Sequence, residues 1–387
     1  MRRIALLPML AAMALPAFAI DVVTVDQLQQ AVTAVHGKSD KEEAQRLGKL
    51  ELKERLSDAR YERLRASLPG EKSRMALLAL ADASAFLDLP SVDIPATAAP
   101  DRAAQVALLA KTAEYMKGAI SMLPDFFATR ETIFFAGGPA KTSQSAGKNR
   151  RDAALQVVSK FAATIRFLGG REEVADEHAE YGKHNPPGQE LAVHGVYGPI
   201  FDIVLKDALD SSPSWSHWEH SSAGPMAVFR YAVPKEKSQW GAQVPGDPGF
   251  LGSIVAYHGE IGVDPADGAI LRLTLEAAPR PNGPIAKANI LIEYGPVEIG
   301  GRSYICPIKS VGLSLARNLN LLQDVYGVQQ GNQLPFQLQM DDVSFTQYHL
   351  FHAEMRVLPA ESSGQEGVAH PPVPATEPKA PSTRQSP

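Results

Sequence analysis

The sequence predicts an α+β protein: a helical N-terminal region followed by a curved antiparallel β-sheet, half-barrel-like, packed on helices. From Tyr257 to Ala316, apolar and polar residues alternate with a period of two. The alternation breaks only at Asp264–Gly268, Asn282-Gly283-Pro284, Tyr294-Gly295-Pro296 and Gly300-Gly301-Arg302. Period two sends alternate side chains to opposite faces of a pleated ribbon, so this stretch reads as an antiparallel meander with one buried face. Residues 24–88 instead carry apolar groups at three- and four-residue spacing behind two capping boxes. Helical segments recur at 101–123 and 198–209. They are the available covers for a sheet of about ten strands, which must curl or be covered to hide its inner face and edges.

Each element has its own signal. Thr24-Val25-Asp26-Gln27 is a capping box ahead of Val25, Leu28, Val32 and Val35, with Gly37 as the stop. Ser39-Asp40-Lys41-Glu42 is a second, leading a helix through Leu47, Leu50 and Leu52. A third helix starts at Ser57, carries Tyr61, Leu64 and Leu68, and ends at Pro69-Gly70. Met75 to Leu87 is a fourth, so apolar that it belongs at the centre of the bundle. Pro90, Pro95 and Pro100 make residues 90–100 an extended linker. Asp101 to Leu123 is a long helix with Val106, Leu109, Ala113, Met116 and Ile120 along one side, ended by Pro124.

Phe126 to Phe135 reads as a strand, Gly137-Gly138 as a turn and 139–150 as a polar loop. Strands around Gln156 to Val174 follow, broken at Gly169-Gly170. Tyr197-Gly198-Pro199 opens a short helix through Ile203, Val204 and Ala208. Strands follow at Trp215–His220, Met226–Val233 and Gln239–Val244, then the meander, then Val343–Leu358, whose length requires a bend or bulge. Residues 359–387 hold seven prolines and almost no large apolar group, the composition of a disordered tail. The expected organisation is therefore a leader at 1–19, a helical region at 20–89, the linker at 90–100, a helix-plus-β domain at 101–358, and the tail.

The leader sets location. Arg2 and Arg3 precede an uncharged apolar run from Ile4 to Leu15, and Ala17-Phe18-Ala19 is a small-x-small cleavage site. No cysteine follows it to carry a lipid, and no later window is long and apolar enough for a second span, so a periplasmic or secreted protein is expected. The chain has 387 residues, 44% hydrophobic and 21% charged, with a net charge of −5 that becomes more acidic by two once the leader is removed. That balance, without a basic run beside aromatics, argues against a nucleic-acid partner. Cys306, the sole cysteine, has nothing to pair with in the chain. Alternation places it on a strand face with Tyr304 and Ile308, as a buried, inert thiol.

Candidate chemistry is sparse. In Trp215-Ser216-His217-Trp218-Glu219-His220, period two puts Trp215, His217 and Glu219 on one face and Trp218 and His220 on the other. His217 and His220 then cannot grip one ion, and the same holds for His349 and His352, so no metal and no cofactor are expected. His258 and Glu260 do share a face, and the Asp264–Gly268 turn can fold Arg272 and Thr274 opposite them. Such a polar set can do acid–base work or form a solvated ladder with a cross-strand ion pair. Gly137–Thr142 lacks the phosphate-loop spacing, and Gly312–Ala316 lacks the final glycine of a nucleophile elbow.

Leu123–Arg130, Tyr197–Ile200, Trp215–Glu219, Ala227–Pro234 and the meander as far as Ser310 resemble a group of uncharacterised secreted bacterial proteins. That resemblance implies no activity. The order of long helix, strands, short helix and antiparallel run over 101–358 resembles, more loosely, the LolA-like lipoprotein-carrier half-barrel, which implies a curved sheet wrapped over a lipid-binding cleft; fold alone does not fix function.

The expected function is a non-catalytic binding protein for an apolar ligand or envelope component. Phe229, Tyr231, Ile290, Ile292 and Tyr294 are the candidate lining residues, because apolar clefts of that kind are common ligand sites. The alternatives are a hydrolase-type enzyme using the face of His258, Glu260 and Arg272, or an envelope protein-interaction module. Mass spectrometry of the exported protein should find its first residue near Ile20; retained Met1 or a lipid adduct would contradict the leader.

Overall fold

A computed structural model describes residues 21–34, 39–119, 122–140, 155–181, 199–221, 224–242, 253–278, 285–317 and 336–351. The leader, most of the loop at 139–150, Val35, Gly37, Ile120, His352 and the Pro-rich tail lie outside the described residues.

The N-terminal layer runs β1 (Asp21–Val23), α1 (Val25–Thr33), α2 (Asp40–Leu47), β2 (Leu50–Leu52), α3 (Asp58–Ser67) and α4 (Glu71–Ala83). Both capping boxes form: the Gln27 amide donates to Thr24 Oγ1 at 3.0 Å, and the Glu42 amide to Ser39 Oγ at 3.3 Å. The second helix does not continue through Leu50 and Leu52. It stops at Gly48, and those leucines form β2, paired parallel to β1. Helix α4 starts earlier than its apolar run because the cap comes from another helix. The Asp40 carboxylate accepts the amides of Lys72 at 3.0 Å and Ser73 at 2.8 Å, satisfying first-turn donors that no neighbouring residue reaches.

The remaining elements are α5 (Arg102–Ala119), β3 (Phe126–Ala140), β4 (Gln156–Leu168), β5 (Arg171–Tyr181), α6 (Pro199–Asp210), β6 (Ser214–Ser221), β7 (Gly224–Val233), β8 (Gly241–Ala242), β9 (Ser253–Ile254), β10 (Ala256–Val263), β11 (Ile270–Ala278), β12 (Ile285–Ile299), β13 (Arg302–Arg317) and β14 (Phe336–Leu350). Ten strands make one antiparallel sheet in the order β5-β4-β3-β14-β13-β12-β11-β10-β7-β6. It is not closed, so β5 and β6 are its edges. Gly137-Gly138 continues β3 rather than turning, and of the Gln239–Val244 segment the described residues contribute the short β8, paired with β9. The last strand begins at Phe336 and takes its bend where the register shifts between Thr346 and His349, with Gln347 at φ 52°. No helix among the described residues is long and apolar enough to cross a membrane.

Both faces of the sheet are covered. On one, Phe126, Phe229, Tyr257, Ile290 and Ile292 form a core with Leu108 of α5 and Val204, Leu205 and Ala208 of α6. Helix α5 meets the sheet through Leu108, Leu109 and Met116, while Val106, expected on that side, is 52% exposed. Gly268, in the β10–β11 turn at φ +82°, touches α5 so closely that a Cβ would meet the Lys111 carbonyl carbon at 2.7 Å. The opposite face carries the N-terminal layer. Leu78 and Ala79 of α4 pack on Leu291, Val311, Leu313 and Met340, while Leu77 and Leu80 face Val25, Leu28, Leu47 and Leu64 inside the helical layer. Helix α4 is apolar all round because it lies between two cores.

The β10–β11 ladder has a gap. His258 pairs with Glu276 and Ile261 with Leu273, but Gly259 and Glu260 have no paired register on β11. The Glu260 amide donates to Thr274 Oγ1 at 2.8 Å, and the Tyr231 hydroxyl, crossing over Gly259, donates to the Thr274 carbonyl at 2.6 Å. Any Cβ at 259 would lie 2.0 Å from that carbonyl oxygen. Replacing Tyr231→Phe leaves a buried carbonyl short of a donor, and urea unfolding should show a loss of about 1–3 kcal/mol.

Candidate functional site

A row of charged residues crosses the sheet beneath the N-terminal layer. Arg272 of β11 stands opposite Glu293 of β12, which stands opposite Lys309 of β13. Directly opposed side chains on one sheet face are near neighbours, so alternating signs here are favourable. Glu260 of β10 and Glu219 of β6 extend the row at one end, and Asp342 of β14 at the other.

Helices and sheet are joined through this row. Arg272 donates to Glu219 Oε1 at 2.5 Å and to Glu260 Oε2 at 2.9 Å, while Arg55, just before α3, donates to Glu219 Oε2 at 2.7 Å. Arg230 bridges Glu260 Oε1, at 3.1 Å, to Asp88. Lys309 reaches Asp82 of α4 at 2.6 Å and Asp342 at 3.3 Å. Burial pushes the Glu219 carboxyl upward, but a hydrogen bond to His217 and the charges of Arg272 and Arg55 outweigh it and hold the group well below the usual range. Burial likewise works against the charge on Arg272, yet Glu219 and Glu260 keep it raised. Asp82 lies on the other side of this balance, raised by its complete burial although Lys309 opposes the shift.

Over the row lies a cavity of about 320 Å³, floored by Glu219, Arg272, Glu293 and Lys309 and roofed by α3 and α4. Two features there are unfinished. Arg55 and Arg272 are 7% and 5% exposed, yet the Nε–H of each has no acceptor among the described residues. Glu293 makes no hydrogen bond or ion pair with any described residue. Burial and the nearby charge of Asp58 raise its carboxyl, against Lys309, Arg272 and Arg55. A second cavity, of about 350 Å³, adjoins at Ala85 and is lined by Asp88, Arg230, His258, Glu260 and Glu276. His258 Nδ1 stands 3.8 Å from Glu276, whose carboxyl burial raises.

The residues expected from the sequence divide between these places. Glu260 and Arg272 are brought together, and His258 shares their side of the sheet; Arg272 lines the first cavity, and His258 and Glu260 the second. Phe229, Tyr231, Ile290, Ile292 and Tyr294 sit in the core against α5 and α6, each no more than 6% exposed. A register shift after Trp215 moves it to the side of Trp218, 5.0 Å away, and leaves His217 and Glu219 together on the other face. Cys306 is buried, its thiol pushed up to about 12 by burial. Among the described residues no group of three or more His, Cys, Asp or Glu could hold a metal ion. Arg55, Asp82, Glu293 and Lys309 escaped the sequence reading; alternation marked the two strand residues as polar but not as covered.

Compared with protein-family profiles, curated proteins and solved structures, the chain matches none.

Two outcomes follow from the electrostatics. Arg272→Met leaves a buried site without the shared partner of two largely covered carboxylates and should cost about 3–5 kcal/mol, whereas Arg230→Met, at a half-exposed pair, should cost under about 1 kcal/mol in the same denaturant titration. Glu219, depressed when folded, contributes stability above the ordinary glutamate pKa that is lost as pH falls below it. Glu219→Gln should therefore lower the thermal midpoint at neutral pH and flatten its decline on the acid side.

Proposed function

We propose that this chain is an exported, non-catalytic binding protein, and that its ligand is a small polar molecule held between the N-terminal helices and the sheet. The observation that carries this reading is the pair of buried guanidinium N–H donors, on Arg55 and Arg272, left without acceptors among the described residues beside a cavity of about 320 Å³. A buried donor without an acceptor costs about 1–3 kcal/mol, a debt that a ligand oxygen would remove. The cavity's position between two layers, lined by convergent polar groups, is the usual setting of a small-molecule site. The apolar residues on the other face are occupied in packing against α5 and α6, which favours a polar ligand over a lipid.

Binding is favoured over hydrolysis by the state of Glu260. Both of its oxygens are engaged by arginines, so the natural base of the His258 face is neutralised and held. The leader supports export, and with it a ligand met outside the cytoplasm.

Ala81 of α4 lines the cavity, and Ala81→Leu should fill part of it without adding charge. Native mass spectrometry of protein purified from its own envelope should find a bound small molecule in the parent and lose it in Ala81→Leu. A ligand-free parent, or a ligand indifferent to that substitution, would refute the assignment of this cavity.

A further inference from the structure

The cavity beneath α3 and α4 shows unmatched polar atoms but no excess of either charge. Its lining holds five lysine and arginine side chains and five carboxylates. The cations of its floor are committed: Arg55 and Arg272 to Glu219, Arg272 also to Glu260, and Lys309 to Asp82 and Asp342. Glu293, half-buried, stands opposite Arg272 and Lys309 on the neighbouring strands and lies in their field. A ligand with net charge of either sign would upset this balance, and burying an ion costs far more than burying a neutral polar group that keeps its hydrogen bonds. Three atoms in the lining have no hydrogen-bond partner among the described residues: Arg55 Nε, Arg272 Nε and Asp82 Oδ2. Their residues are at most 7% exposed and come from three places around the cavity, the segment before α3, β11 and α4. Two of these atoms call for an acceptor and one for a donor. A hydroxyl serves all three, because one oxygen both accepts and donates. If Asp82 keeps a proton, as its burial favours, the same hydroxyl accepts from it instead.

We infer that the ligand is a small neutral polyol, of the size of a single sugar ring, whose hydroxyl groups meet Arg55, Arg272 and Asp82. This rests on the binding reading above and adds the ligand's class. Three unmatched groups on separate elements call for polar groups spread around the ligand, which a polyhydroxylated ring or chain supplies and a molecule with one polar end does not. A cavity of about 320 Å³ is at the small end for ligand sites, which suits one ring over an oligomer. Tyr61 and Leu291, also in the lining, give the carbon skeleton an apolar wall. Affinity then comes from hydrogen bonds to an uncharged molecule and does not fall as salt screens the site.

The test identifies the molecule released by denaturation from protein purified from its own envelope. Its mass, its electrophoretic mobility and its consumption by periodate, which cleaves neighbouring hydroxyls, define its class. A small molecule without net charge that periodate consumes is expected. Calorimetry of its rebinding to the full mature chain should give the same Kd at low and high sodium chloride, and Ala81→Leu should abolish the binding. Arg55→Lys keeps a positive charge for Glu219 but deletes the Nε–H, and should weaken binding on the order of tenfold without introducing a salt dependence. The ligand's own chemistry decides its class even if that variant folds poorly. A charged ligand, a neutral one that periodate leaves intact, a Kd that rises with salt, or an affinity unchanged in folded Arg55→Lys overturns the polyol assignment while the cavity reading survives. A ligand-free parent, or a ligand indifferent to Ala81→Leu, overturns both.

Discussion

The constraint on which this structure depends is that charged side chains buried between two layers must be paired. Sheet and helices could have met through apolar surface alone, as they do at Leu78, Val311 and Met340. Toward β6 and β10 they meet instead through arginines and carboxylates, where desolvation is repaid only by close, directed contact. This fixes how the helical layer sits. Arg55 must reach Glu219 and Asp82 must reach Lys309, and an apolar contact would impose neither requirement.

Pairing in one place leaves its shortfall in another. Arg272 satisfies two carboxylates with its terminal nitrogens, and its Nε is then out of reach of both. Lys309 turns to Asp82 and Asp342, and Glu293, directly opposite it on the neighbouring strand, goes without. The ladder gap at Gly259 and Glu260 belongs to the same region. Glu260 gives its amide to a side chain, and its carboxylate bridges Arg272 and Arg230. The ladder gap at Gly259 and Glu260 and the unmatched groups of Arg272 and Glu293 lie on neighbouring strands, beside the two cavities.

The fold was largely legible because its signals are local. Capping boxes, the two-residue period and the Gly169-Gly170 turn each lie within a few residues of what they determine. Failures came where the cause was remote: α4 begins early because Asp40, on another helix, caps it. The candidate site was legible only in part for the same reason. Arg272, Thr274, Glu276 and Glu293 occupy alternate positions that read as a wet face, and alternation cannot distinguish water from a polar lid formed by residues about two hundred positions earlier in the chain. His258, Glu260 and Arg272 were found because they are close in sequence. Arg55 and Asp82 complete the site from helices whose own periodicity says nothing about the sheet.

Helix α4 also has a bearing on how the molecule comes apart. Its Leu77 and Leu80 belong to one core and its Leu78 and Ala79 to another, so neither can be dismantled alone. Melting the helical layer would bare the sheet's apolar face and take Asp82 from Lys309, leaving the lysine only Asp342. The helices therefore have no private, low-energy opening, and their amide hydrogens should exchange on the schedule of the central strands rather than of a peripheral cap.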